Sequence, residues 1–250
     1  LGNSYWRFRA SAVSRLQNLL TTASGKDPLV LDDLTAAMLL RVIKTEKYWL
    51  KSAALRFLGI TKDKKYADTY LSCLYDSSDR VVNSAAIALG MCRSEKAFNA
   101  LINLKSKPSW KNQSLISALN GLKELGDERA VPFAMAALAD NGSPHWTLAT
   151  PVWDHRLAAA ETLVSLGRTG EAYPLIFRQF KMAIEENNIN DIFFNVQQVA
   201  TLGEARGTEV FEILRMKFKE DANAMLAVNQ YEQQFNDAIK RRQPVEVPAK

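Results

Sequence analysis

The chain has 250 residues, of which 47% are hydrophobic and 24% charged, the balance of an ordinary folded protein. No apolar run approaches the roughly 20 residues that span a bilayer, so a membrane partner is not expected. The formal charge of +5 is unevenly spread: residues 1–126 carry 19 Lys and Arg against 10 Asp and Glu, a net of +9, whereas residues 127–250 carry 13 against 17, a net of −4.

The opening, LGNSYWRFRAS, has neither an initiator Met nor the apolar core of a signal peptide. It reads as part of a longer protein whose compartment it does not specify. Residues 5–20 are expected to form a helix with a wide apolar face (Tyr5, Phe8, Ala12, Val13, Leu16 and Leu19), like the second helix of a helix pair that has no first helix before it. With Trp6 and Leu20 that face exceeds the roughly 100° stripe a single contact requires. Tyr5, Trp6 and Phe8 are therefore expected to dock on an upstream helix or domain of the same polypeptide.

Helices are predicted over about 31–45, 48–59 and 64–76. The stretch DSSDRVVNSAAIALGMCRSEKAFNALINL, residues 76–104, then reads as a complete unit. Asp79 is expected to cap its first helix and Val81, Ala85, Ala86 and Leu89 to line it; Gly90 marks a tight turn and Ser94 the next cap. Ala97, Phe98, Leu101, Ile102 and Leu104 give the second helix a broad apolar face. Cys73 and Cys92, at apolar positions of neighbouring helices, are expected to be buried free thiols. Further helices follow over 109–127, with Pro108 near its first turn, and over 127–140, 153–167, 171–186, 189–203, 208–220 and 221–242. Residues 243–250, QPVEVPAK, are expected to be a disordered tail behind a single domain, 1–242.

The central apolar residues Leu16, Leu58, Leu89, Leu119, Leu163 and Val199 recur at 42, 31, 30, 44 and 36 residues, an uneven period in which every unit is helix, turn, helix. A unit of this kind cannot bury both faces alone and must stack on its neighbours. The stretches DSSDRVVNSAAIALG, DHRLAAAETL and DERAVPFAMAALAD, the last with Pro132 inside a helix, resemble HEAT repeats. The resemblance implies an all-α, right-handed α-α superhelix, a HEAT-like solenoid of about seven helix pairs. It also implies an inter-repeat bond from an Arg early in the second helix to an Asp of a neighbouring unit. Arg9 and Arg156 match that position, while Lys51, Val82 and Asn112 depart from it.

One stretch breaks the repeat. DNGSPHWTLATPVWD, residues 140–154, places Gly142, Pro144 and Pro151 beside Trp146 and Trp153, between two helices expected to pair. Loops of this length in a compact array are usually functional or disordered, and the aromatics argue against disorder. That leaves a loop folded back to cover the groove with its Trp residues or, as the alternative, a ligand or partner contact. With both histidines in or beside it, His145, Trp146, Trp153, Asp154 and His155 become the candidate binding residues. A zinc site needs three or four converging ligands, which this spacing does not supply. There is no HExxH pair, nucleophile elbow or phosphate-cradling loop, so neither catalytic residues, metal nor cofactor are assigned.

The texture of residues 109–220 is also similar to the helical C-terminal domain of bacterial zinc aminopeptidases of the gluzincin type. That resemblance implies a non-catalytic module, the C-terminal domain of a larger metallopeptidase, that shapes substrate access. Two other functions stay open: a protein-protein interaction scaffold with a protein or peptide partner, and a nucleic-acid-binding HEAT-like protein. The last is disfavoured, because the basic residues are scattered among acidic ones and do not line one helix face.

Overall fold

The computed structural model describes Arg15, residues 30–140 and residues 155–242, and all regular structure among them is helical. The opening helix, most of the 140–154 stretch and the tail lie outside these residues. The fold is an all-α array of helix pairs that divides into two compact units, Leu1–Ala130 and Val131–Lys250.

In the first unit three pairs follow one another: α1 (Asp33–Thr45) with α2 (Tyr48–Ile60), α3 (Ala67–Cys73) with α4 (Asp79–Cys92), and α5 (Ala97–Asn103) with α6 (Gln113–Leu125). The second helices α2, α4 and α6 pack side by side as the inner layer. Leu58, Leu89 and Leu119, the expected central positions, are all fully buried there, each contributing about 1.5–3 kcal/mol of transfer free energy.

The seam between these helices is made of small residues. A Cβ built on Gly90 would fall on the carbonyl oxygen of Gly121; one on Gly121 would stand 2.7 Å from the Ala86 carbonyl oxygen, and one on Gly59 2.8 Å from the Ala88 Cβ. Backbone therefore meets backbone across α4 and α6, and only glycine permits it. This corrects the reading of Gly90 as a turn. The helix runs on to Cys92 and stops at Arg93, whose left-handed φ of 49° lets its N–H reach the Gly90 carbonyl. The seam carries a polar ladder as well: the Ser52 and Ser84 hydroxyls pair at 2.8 Å in a buried site, and the Asn120 amide donates to the Asn83 side-chain oxygen at 2.9 Å.

Local chemistry shifts several helix starts from where the sequence pattern suggests. Asp32 accepts from the Thr35 N–H and hydroxyl, so α1 begins at Asp33. Ser78, in extended conformation, occupies the cap position expected of Asp79, which falls inside the first turn, where its carboxylate meets the positive end of the helix dipole. Lys111 and Asn112 adopt φ of 50° and 57°, which delays α6 to Gln113, and the Ser109 hydroxyl accepts the Ser114 N–H at 2.8 Å.

The second unit holds α7 (Val131–Ala139) with α8 (His155–Ser165), α9 (Thr169–Glu185) with α10 (Ile189–Leu202), and α11 (Thr208–Lys217) with α12 (Ala222–Arg242). Leu163 and Val199 are again fully buried. Its seams are filled differently. Arg156 of α8 lays its guanidinium over the Phe194 ring of α10 at 4.7 Å, Phe193 meets Tyr231 of α12 at 6.4 Å, and Asn195 and Gln198 of α10 are buried. Pro174 inside α9 removes the N–H that would bond the Gly170 carbonyl; Arg206 donates to that carbonyl instead, at 2.9 Å. The arrangement ties α9 to the turn before α11.

Candidate interaction surface

The structure places the sequence-derived candidates unevenly. His155 opens α8 and is buried, with Nε2 3.3 Å from an oxygen of Asp140, the residue that follows α7. The pair ties together the two ends of the 141–154 segment. His145, Trp146, Trp153 and Asp154 lie outside the described residues, as do Tyr5, Trp6, Phe8 and Arg9. Arg156 does reach the next second helix, through the face of Phe194.

Among the described residues no three of His, Cys, Asp and Glu converge as metal ligands would. Cys73 and Cys92 are buried free thiols, and burial pushes both above the usual thiol range, which suits packing and not nucleophilic attack. No described helix is long and apolar enough to cross a membrane.

What the first unit does carry is an edge where each first helix hands over to its second. The short connections before α2, α4 and α6 are joined by specific bonds. Lys51, in the first turn of α2, donates to the Asp76 carboxylate at 2.7 Å, with both side chains largely buried. From the other side Lys107 donates to the Asp76 and Leu74 carbonyls at 2.8 and 3.3 Å. Burial by itself would raise the Asp76 carboxyl; the Lys51 ammonium and the Ser78 N–H outweigh it and hold the group below its usual range. Lys51 thus makes the bond to a neighbouring unit that the HEAT-like pattern assigns to Arg. The pattern hid it because Lys stood where Arg was expected.

Large aromatic side chains project from this bonded edge. Tyr48 and Trp49 are 58% and 42% exposed at the start of α2, Tyr75 is 78% exposed before α4, and Trp110 is 69% exposed before α6. Lys111 stands over the Trp110 ring at 4.2 Å. Over residues 44–51, 74–80 and 105–111 there are seven Lys and Arg against three Asp and Glu. One of those three, Asp76, is already paired. None of these aromatics stood out in the sequence, although each handover segment carries one within five residues of a basic residue: KYWLK, YDSSDR and SWKN.

No family model matches the sequence, and no curated protein does. Among solved structures the chain is similar to one from the complex of CpcE and CpcF of phycocyanin lyase from Nostoc sp. PCC7120, at 16% identity over 93% of this chain and 85% of that chain, with a TM-score of 0.42.

Proposed function

We propose that this chain is a non-catalytic helical-repeat module that binds another protein, and that the handover edge of the first unit is its contact surface. The observation that carries the reading is the row of exposed Tyr48, Trp49, Tyr75 and Trp110 on connections that bonds from Lys51 and Lys107 hold in place. Aromatic anchors on a rigid support lose little conformational entropy on docking, and Trp and Tyr dominate the energetics of protein contacts. The expectation of an aminopeptidase-like C-terminal domain gains no support from the geometry or from the comparisons. The groups within reach of one another on this edge are lysines and aromatic rings, which recognise a partner and transform nothing.

The test is site-specific photo-cross-linking in the source cells, with benzoylphenylalanine at Tyr75 and, as control, at the exposed Lys219 of the second unit. Adducts to a second protein at Tyr75 and none at Lys219 are expected. Adducts at neither position, or equally at both, would overturn the reading.

A further inference from the structure

The edge also has a chemical character that specifies its partner. Its aromatic rings are interspersed with cationic groups: Lys47 beside Tyr48 and Trp49, Lys105 and Lys111 flanking Trp110, and Arg80, five residues after Tyr75, at the head of α4. Lys47, Arg80 and Lys105 are exposed. The acidic residues among them are Glu46, Asp79 and the paired Asp76. A docking surface of this composition selects an apolar contact flanked by negative charge.

Spacing narrows the choice further. Packed helices stand about 8–10 Å apart, and the aromatic platforms sit at or just before the heads of the neighbouring helices α2, α4 and α6. An extended peptide rises about 3.3 Å per residue, so two to three residues bridge successive platforms. A stacked nucleic-acid strand is disfavoured at Trp110, one face of which is already occupied by Lys111, where a base would lie. Lys111 and Asn112 hold the Trp110 turn with two consecutive left-handed residues, a conformation that costs free energy and presents the indole outward.

We infer that the Trp49–Tyr75–Trp110 edge binds an extended acidic segment of a partner protein, one with an apolar side chain at about every third residue and Asp or Glu between. This rests on the reading of the chain as a protein-binding module and adds the chemistry of what is bound. The apolar side chains lie against the rings, and the carboxylates meet Lys47, Arg80, Lys105 and Lys111. Attraction of this kind steers association and weakens with salt.

The experiment uses the full chain and three fluorescein-labelled probes in polarisation titrations: a 12-residue peptide with Phe at every third position and Asp or Glu elsewhere, the same peptide with Ser in place of the acidic residues, and oligo(dT) of 12 nucleotides. The acidic peptide is expected to bind at least tenfold more tightly than either other probe, and raising salt from about 50 to 500 mM should weaken it severalfold. Trp49→Ala with Trp110→Ala should cost at least tenfold in affinity. Lys105→Gln with Lys111→Gln, which removes two of the four cations, should cut the salt dependence by roughly half. All four positions lie at the surface, and unchanged circular dichroism would show that the variants fold. Tighter binding of oligo(dT), equal binding of the Ser peptide, or no binding by any probe would overturn the inference. Cross-links to a protein at Tyr75 would in each of those cases leave the protein-binding reading standing, so the two failures are distinguishable.

Discussion

The two units solve the same packing problem with different residues. In the first, α2, α4 and α6 approach until backbone meets backbone, because Gly59, Ala86, Ala88, Gly90 and Gly121 leave nothing between them. In the second, α8, α10 and α12 meet through the larger side chains Arg156, Phe193, Phe194 and Tyr231, with one close approach, of Gly203 to Ala238, at the end of α10. Where backbone touches backbone there is no side chain to rearrange, so those contacts fix the separation of the helices. A seam of long side chains can repack within one fold. The unit with the rigid seam is the one that displays the aromatic edge. That is physically apt, since anchors are most effective when their spacing is set before a partner arrives.

The contrast can be broken at its centre first. Leu89 is fully buried in the tight seam, and Leu89→Ala should cost about 2–5 kcal/mol, towards the upper end because glycine and alanine neighbours cannot expand into the cavity. Urea unfolding would read this directly, and a change no larger than that of a surface substitution would mean that the seam can repack after all.

A smaller effect concerns the Ser52–Ser84 pair. Either single change to Ala leaves a hydroxyl buried without its partner, at about 1–3 kcal/mol, whereas the double change should restore most of the loss. A double-mutant cycle measures this coupling. Additive single effects would show that the hydroxyls do not depend on one another.

The smallest effect expected is that of the Lys51–Asp76 bond. Lys51→Met should destabilise the chain at pH 7 by about 1 kcal/mol, as for a partly exposed pair. Because the folded Asp76 carboxyl lies below its ordinary value of 3.8, the stability it contributes is present above that value and is lost as pH falls through the folded one. The difference between wild type and Lys51→Met should therefore shrink as pH is lowered below about 4, and a gap independent of pH would contradict the role given to the pair.

The legible part of the fold was what hydrophobic period alone determines. Leu58, Leu89, Leu119, Leu163 and Val199 were identifiable because a buried central residue recurs once per unit whatever lies around it. Gly90 was misread because glycine signals a turn as readily as a close crossing; only the presence of Gly121 opposite, 31 residues later, separates the two. Phe98 was legible as apolar but not as the half-buried ring that carries the Arg129 guanidinium at 4.3 Å. The handover edge was illegible for another reason. Tyr48, Trp49, Tyr75 and Trp110 are far apart in sequence and read as ordinary flanking aromatics until Lys51, Asp76 and Lys107 bring their connections together.

The central claim, that backbone contact sets the first unit's geometry, is tested most directly by comparing Gly90→Ala with Gly170→Ala in denaturant unfolding. Both glycines lie within helices, but a Cβ at Gly170 meets nothing closer than the Arg206 side chain at 3.6 Å. Gly170→Ala should stabilise the chain by about 0.5 kcal/mol through the unfolded state. Gly90→Ala should destabilise it by about 3 kcal/mol, since the Gly121 backbone has to move. Opposite signs are the predicted result, and a gain in stability from both substitutions would contradict the account.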